Sequence, residues 1–382
     1  MNILYVPQLS MYDKQTKKPL PQADGNINMM RNTIKEWKKY RPEDKFFALM
    51  PTTVFNPHID LNIDCSFFTY KESVISARIN RFNFPMKEFI NIFKNWHIDL
   101  IICDVIELAT NFKQMFKIEF GYTPKIISNI RHIDEELNYT YIYRVIEGIE
   151  NSDYVTILSE SMKQLIGGHI TSLLHETLVE HYIEKIEVFE PSISKEELLQ
   201  YKSILYKNNE KKIITFPGRM SKGEENRTNW DKFVYALYDL RDIRTDFEIY
   251  FTDPNNAIDL VDSNWMKTID KDRKQFLELL NKTDIVVSLM DIQGFGGISI
   301  REALLFNCLP IIPNKHEYKR MAPIGYNGFI DGNITKEKIT DKLNWALDNY
   351  NLYNFEKYGM QFTVESQMKN VINQLEVIIN DK

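Results

Sequence analysis

The sequence predicts an α/β protein built from two doubly wound, parallel-sheet domains. Short apolar runs alternate with helical patterns along the chain. The runs are continuous rather than alternating, as in residues 99–103 (DLIIC) and 309–312 (LPII). Continuous apolar strands are covered on both faces, the condition of a parallel sheet between helices. The third observation is length: 382 residues is long for a single hydrophobic core, so two domains are expected.

Taken in order, Asn2–Val6 is an apolar strand. Residues 23–40 read as a loop feeding a helix, with Gly25, Asn26 and Asn28 where that helix starts. Strands are expected at 46–50, 99–103 and Lys125–Ile130, with a helix at 86–96 before the second of these. The strand at Lys125–Ile130 runs into Arg131-His132-Ile133-Asp134, then a helix at about 135–149 and a strand at 154–158. Ser159 caps the next helix, which Gly167 and Gly168 are expected to interrupt. A short strand within 185–191 (KIEVFEP) ends at Pro191, where the first domain is expected to end, giving domains 1–190 and 191–359. The second series has a charged helix at 194–206 and strands at 212–217, Phe247–Phe251, 285–289 and 309–312. Helices are expected at 230–240 and 273–280, and residues 362–379 form a final amphipathic helix. Trp37, Trp96 and Trp345 fall on amphipathic faces and are expected in the core.

Hydrophobic residues at 43% and charged residues at 26% describe an ordinary globular protein. A net charge of −6 argues against a general nucleic-acid coat protein, while leaving room for a local basic groove. The three cysteines, Cys65, Cys103 and Cys308, form no C-x-x-C pair. Cys103 and Cys308 lie in or beside apolar runs, as buried thiols of a reducing cytoplasm do. No charged leader precedes a long apolar core, and no run approaches the ~20 apolar residues of a membrane span. A cytoplasmic enzyme without a membrane span is expected.

Ligands of parallel sheets bind beyond the carboxyl ends of the strands, so the chemistry is sought there. Residues 283–312 read as buried strand, glycine loop (Gly294, Gly296, Gly297), apolar helix and second buried strand. A helix that starts at such a loop offers free N–H groups and a positive dipole end to an anion. Glu302 lies near the start of that helix beside an apolar face, and so requires a partner. After the strand at 212–217 come Gly218, Arg219, Lys222 and Arg227. Basic groups in that position suit a diphosphate, with ordinary surface charge as the plainer alternative. His132 and Asp134 follow a strand end in the first domain, and Asp104 follows another. A histidine there either serves a substrate hydroxyl or is structural. His169, His175 and His181 are six residues apart, which does not place them on one helical face, so no metal site is supported.

Together these pieces resemble the retaining glycosyltransferases of the GT-B architecture, in particular family 4. The residues that carry the resemblance are Phe216-Pro217-Gly218-Arg219, Lys222, Gln293-Gly294-Phe295-Gly296-Gly297, Glu302 and Pro310, with His132 and Asp134 in the first half. The segment 152–165 (SDYVTILSESMKQL) is also similar to the family's strand–Ser–Glu–helix piece. The resemblance implies two Rossmann-like domains facing a cleft, with residues 360–382 packing back on the first. It implies a nucleotide-sugar co-substrate, a UDP-sugar, and no metal or other cofactor. Glu302 would meet the ribose, and Arg219 with Lys222 or Arg227 the departing diphosphate. Backbone amides of Gln293, Gly294, Phe295, Gly296 and Gly297 would contact the donor. His132, Asp134 and Gly25 would address the sugar and acceptor. One departure concerns the loop: the family spaces two glutamates by seven residues, whereas Gln293 precedes the glycines here.

The residues around Glu302 to Pro310, including Asn307-Cys308-Leu309, are also similar to phage DNA α-glucosyltransferases. That similarity implies a hydroxymethylated pyrimidine in DNA as acceptor, in the host cytoplasm. Basic and aromatic groups in the first domain (Lys35, Trp37, Lys38, Lys39, Tyr40; Arg78, Arg81, Phe82, Phe84) could meet a DNA backbone and an extruded base, or be ordinary helix faces. The alternatives are a cell-surface glycan or glycolipid acceptor, and a non-catalytic nucleotide-sugar-binding protein of the same fold.

Overall fold

The computed structural model describes residues 1–8, 25–51, 65–70, 84–131, 138–189, 193–202, 210–218, 220, 228–252, 265–269, 273–290 and 297–380. The chain divides into two compact units: Met1–Ser192 with Val364–Lys382, and Ile193–Thr363.

In the first unit the described strands are β1 (Asn2–Val6), β2 (Lys45–Pro51), β3 (Ser66–Tyr70), β4 (Leu100–Cys103), β5 (Lys125–Ile130), β6 (Tyr154–Ile157) and β7 (Ile186–Val188). They form one parallel sheet in the order β3-β2-β1-β4-β5-β6-β7. The order reverses between β1 and β4, and such a switch point opens a crevice at the carboxyl edge. The strand period of two divides β1 between two cores. Ile3 and Tyr5 face a cluster with Trp37, Met368, Ile372 and Leu375, whereas Leu4 and Val6 face Phe93, Phe112 and Phe116. Helices that cover the sheet are α1 (Gly25–Tyr40), α2 (Met86–Phe93), α3 (Ala109–Met115), α4 (Tyr139–Asn151), α5 (Glu160–Thr171) and α6 (Glu176–Glu184). The C-terminal helix Val364–Asn380 returns to this unit, placing Val364, Met368, Val371, Ile372 and Leu375 in the core that also holds Trp37.

Two local expectations are corrected. Helix α5 starts at its Ser159 cap, as expected, but passes through Gly167 and Gly168 without a break. Ile166 and Ile170 are fully buried on either side of the pair, and that packing outweighs about 1 kcal/mol of lost propensity per glycine. Trp96 lies beyond the end of α2 and is 43% exposed. It caps the edge of the core against Phe47 and Phe68, with centroids 4.8 and 5.5 Å away, rather than entering it. Trp37 is buried, and Cys103 and Cys308 are buried thiols, Cys308 Sγ lying 3.2 Å from the Thr283 carbonyl.

In the second unit the strands are β8 (Lys212–Phe216), β9 (Phe247–Phe251), β10 (Met266–Thr268), β11 (Ile285–Val287), β12 (Leu309–Pro313) and β13 (Phe329–Ile330). They are parallel, in the order β10-β9-β8-β11-β12-β13, with the reversal between β8 and β11. The accompanying helices are α7 (Lys195–Leu199), α8 (Trp230–Ile243), α9 (Arg273–Lys282), α10 (Ile298–Leu305), α11 (Lys336–Asn349) and α12 (Glu356–Met360). Buried Ile214, Phe216, Phe233, Leu280, Val286, Leu304 and Ile311 belong to one core cluster. Among the described residues, no helix is long and apolar enough to cross a membrane.

Candidate functional site

At the carboxyl edge of the second sheet the described residues include Gly218, after β8, and Gly297, at the start of the helix that follows β11. Strand β8 exits through Pro217 and Gly218 at the switch point. A Cβ on Gly218 would lie 2.8 Å from the Phe216 ring and 3.5 Å from the Thr228 methyl, so the chain here turns tightly over its own side chains. Helix α8 enters the same edge from Asn229, which adopts the left-handed conformation at φ 47°. Its Nδ2 donates to the Leu289 carbonyl at 2.9 Å, tying the start of α8 to the exit of β11. Ser288, also beyond β11, and Tyr318 hold their hydroxyl oxygens 2.7 Å apart. Burial pushes the Tyr318 phenol up to about 12, so it remains a neutral hydrogen-bonding group.

Helix α10 starts from Gly297 at φ 37° and ψ 108°, a left-handed φ that favours glycine. In its first turn the Ile300 and Arg301 amides both donate to the Gly297 carbonyl, at 3.0 and 3.2 Å. The next part of α10 carries two buried charges. Arg301 lies with its guanidinium carbon 4.6 Å from the centre of the Phe362 ring, and Arg320 approaches the same ring at 5.5 Å. Glu302 is 2% exposed and its Oε1 lies 2.7 Å from Arg273 Nη2, at the first residue of α9. Arg273 Nε is in turn 3.4 Å from Glu197 Oε1 on α7. Burial disfavours the Arg273 charge, but the Glu302 and Glu197 carboxylates more than offset this and hold its pKa above the ordinary range.

The partner that Glu302 requires is therefore supplied by the protein. A ligand is not needed to account for this buried carboxylate, since Arg273 compensates its charge. The pairing with Arg273 fixes the carboxylate's orientation and keeps a compensating charge beside it.

At the carboxyl edge of the first sheet lies a buried polar network. Asp104, just after β4, accepts at Oδ1 from Asn129 Nδ2 at 2.6 Å, Arg131 Nη2 at 2.8 Å, Arg131 Nε at 3.1 Å and Tyr5 Oη at 3.3 Å. Arg131 also donates from Nη1 to Met29 Sδ and from Nη2 to Tyr5 Oη, each at 3.3 Å. Thr156 Oγ1 donates to Asn129 Oδ1. Burial and the Asp104 charge raise the Tyr5 pKa far above its ordinary value, so Tyr5 stays a phenol. Arg131 stays charged: burial disfavours the cation, and the Asp104 charge more than restores it.

Of the expected site residues, the structure thus places Gly218, Gly297 and Glu302 in the second unit and Gly25 at the first position of α1. His132, Asp134, Arg219, Lys222, Arg227, Gln293, Gly294, Phe295 and Gly296 lie outside the described residues. Asn229, Arg273, Ser288, Tyr318, Asn129 and Arg131 were not singled out as site residues in the sequence. An Arg at the start of a helix is a weak local signal, because its partners Glu197 and Glu302 are remote in the chain.

No protein-family model matches the chain, and no curated protein matches it by sequence. Solved structures match over the whole chain. Anabaena Alr3699/HepE in complex with UDP-glucose superposes with a TM-score of 0.68 at 12% identity, covering 99% of this chain and 100% of that one. A glycosyltransferase from Rickettsia africae gives 0.65 at 14% identity, covering 100% and 99%. The UDP-GlcNAc 2-epimerase from Methanocaldococcus jannaschii gives 0.57 at 11% identity, covering 99% and 100%. With its two parallel sheets, the chain has the GT-B fold. Transferases and an epimerase share it, so the chemistry must be argued from the site.

Proposed function

We propose that this protein is a glycosyltransferase that moves a sugar from a nucleotide-sugar donor, a UDP-sugar, to a hydroxyl acceptor with retention at the anomeric carbon. The observation that carries the reading is the edge of the second sheet. The tight exit at Gly218 follows β8 and the glycine-started helix α10 follows β11, the two strands that flank the switch point. Arg219 is the next residue after that exit. The UDP-glucose complex of the structural neighbour from Anabaena supports the choice of donor.

In this reading the second unit binds the nucleotide. Arg219, with Lys222 or Arg227, neutralises the diphosphate as its bond to the anomeric carbon breaks and it departs with the electron pair. The amides around Gly294, Gly296 and Gly297 hold the donor. Glu302, oriented by Arg273, receives the ribose hydroxyls. His132, Asp134 and Gly25 in the first unit serve the transferred sugar and the acceptor oxygen that replaces the diphosphate. Preorganised positive charge and N–H groups at the leaving group carry most of the rate enhancement.

A hydroxymethylated pyrimidine in DNA is the acceptor suggested by the residues around Glu302 and Pro310. Of the aromatic groups, Trp37 and Phe84 lend it little, Tyr40 is exposed, and Phe82, like Arg78 and Arg81, lies outside the described residues. Trp37 is buried with its Nε1 donating to Asp44 at 2.9 Å. Phe84 packs against Phe89 and Phe112, with centroids 5.0 and 4.8 Å away. Among the basic groups of α1, Lys39 pairs with Glu36 at 2.7 Å and Lys38 donates to the Pro42 carbonyl at 3.3 Å.

The test is a panel of UDP-, GDP- and ADP-sugars incubated with the protein, with and without hydroxymethylated DNA, glycan and glycolipid acceptors. Released nucleoside diphosphate and the mass of the acceptor are read together, and the anomeric configuration of the product by NMR. The expected result is UDP release coupled to a mass gain of one sugar with retained configuration. Epimerised donor without transfer favours the epimerase chemistry found elsewhere on this fold. Donor binding without turnover on any acceptor favours a non-catalytic binding protein.

A further inference from the structure

We infer that the pocket beside β13, the strand that ends the second sheet, is a binding site for a neutral saccharide. The inference goes beyond the glycosyltransferase reading and stands without it.

The pocket forms where β12 and β13 end. The two strands pair in register, Ile312 with Phe329 and Pro313 with Ile330, so Asn314 and Asp331 leave the sheet side by side. Asn314 Nδ2 donates to Asp331 Oδ1 at 2.6 Å. Lys342 of α11 donates from Nζ to the Asn327 carbonyl at 2.6 Å and to Asn327 Oδ1 at 2.9 Å. Buried Tyr326 and Phe329 complete the lining, and Tyr326 Oη is fixed on the Pro310 carbonyl at 2.7 Å. The enclosed space is about 450 Å³. That lies within the size range of small-molecule sites.

The side chains leave a mixed set of hydrogen-bonding groups. Asn314 Oδ1 and Asp331 Oδ2 accept no hydrogen bond, and Asn327 Nδ2 donates none, among the described residues. Lys319 also lines the pocket and has no partner among the described residues. An anion calls for donors alone, and the Asp331 carboxylate opposes it. A cation calls for acceptors alone, and Lys319 and Lys342 oppose it. An apolar ligand would leave the amides and the carboxylate unpaired. Hydroxyl groups both donate and accept, so a ligand with several of them matches the whole set.

One apolar group stands with this polar set. Ile324 also lines the pocket and is fully exposed. It is held at the corner of a tight turn, closed by the Tyr326 amide on the Pro323 carbonyl at 3.1 Å, with Gly325 at a left-handed φ of 75°. Such a turn does not require an apolar residue at that corner. A sugar ring has an apolar C–H face as well as hydroxyls, and Ile324 offers that face a partner. The site is also apart from the proposed donor site. β13 is the second strand beyond β11, which at about 4.8 Å per strand is roughly 10 Å along the sheet.

The test is calorimetric titration of the full chain, with saturation-transfer NMR, using glucose, galactose, N-acetylglucosamine, maltose and cellobiose as probes. At least one is expected to bind saturably, with its Kd unchanged within about twofold by excess UDP, since separate uncoupled sites do not compete. Asp331→Ala and Lys319→Ala are each expected to raise that Kd about tenfold, the loss of one hydrogen bond with a charged partner. Both side chains are exposed, so both variants are expected to keep the wild-type unfolding midpoint. Should Asp331→Ala unfold, Lys319→Ala decides. No binding of any saccharide, a wild-type Kd in the folded variants, or displacement by UDP overturns the inference. So does binding of inorganic phosphate in place of the sugars. Failure of the protein to turn over any nucleotide sugar overturns the transferase reading and leaves these expected outcomes as they are.

Discussion

Asp44 shows how single residues anchor this fold. Its carboxylate meets the Met1 ammonium at 2.7 Å, Arg41 Nε at 2.8 Å and Trp37 Nε1 at 2.9 Å. Burial alone would raise its pKa, but the Met1, Arg41 and Trp37 hydrogen bonds outweigh it and hold the carboxyl below the ordinary range. A depressed folded pKa contributes stability that is complete above the unfolded value of about 3.9 and is lost as pH falls through the folded value. The wild-type unfolding midpoint should therefore drop as pH falls from about 5 toward 3. Asp44→Asn should be less stable at neutral pH, by about 1–3 kcal/mol for partners left unsatisfied. Its acid profile should be flatter, and parallel profiles for the two proteins would remove Asp44 from the account. Pairs of this kind are hard to read from sequence. The need of Glu302 for a partner was legible from its apolar neighbours. That the partner is Arg273 was not, because tertiary packing alone brings α9 beside α10.

At the scale of elements, the start of α10 is the most sensitive part of the candidate site. Gly297→Ala forces an L-side chain into a left-handed φ of 37°, with Ile300 Cγ1 only 3.4 Å from the new Cβ. The substitution should cost about 1–3 kcal/mol of strain or shift the helix start. Donor KM should rise in either case, as measured by initial rates beside a thermal unfolding curve. Donor KM and stability both at the wild-type level would show that this helix start does not shape the donor site. Strands β1, β4 and β12 were legible because each carries an unbroken hydrophobic stretch. Strands β3, β10 and β13 were not. All three end their sheets; β10 (MKT) buries only Met266 and so carries no apolar run, and β13 is only 2 residues long. The uninterrupted α5 shows the opposite error: local glycine propensity was overruled by burial on both sides.

At the scale of the whole molecule, the first unit depends on the end of the chain. Val364, Met368, Val371, Ile372 and Leu375 of the C-terminal helix are all at most 7% exposed. At roughly 1.5–3 kcal/mol per fully buried large apolar side chain, their loss is comparable with the whole stability of a domain. Truncation after Thr363 should therefore abolish amide-exchange protection in β1 and β4 while β8 and β11 remain protected. Protection retained in β1 would show that the first unit stands without its last helix. The alternation of strands and helices made the α/β class legible from sequence. The acceptor was not, because it depends on side chains that several parts of the chain must bring together. Trp37 illustrates the difficulty: beside three lysines it resembles a nucleic-acid contact, yet it is a core residue bonded to Asp44.

The central claim is a nucleotide-sugar donor site at the carboxyl edge of the second sheet. Its most direct test is the rate of UDP release from the best donor of the panel by wild type, Arg219→Ala and Glu302→Ala, each confirmed folded by its unfolding transition. Wild type should turn over the donor, Arg219→Ala should lose about 10²–10³-fold in kcat, as for removal of a group that stabilises leaving charge, and Glu302→Ala should fall sharply. Wild-type rates in both folded variants, or no release from any donor by the wild-type protein, would contradict it.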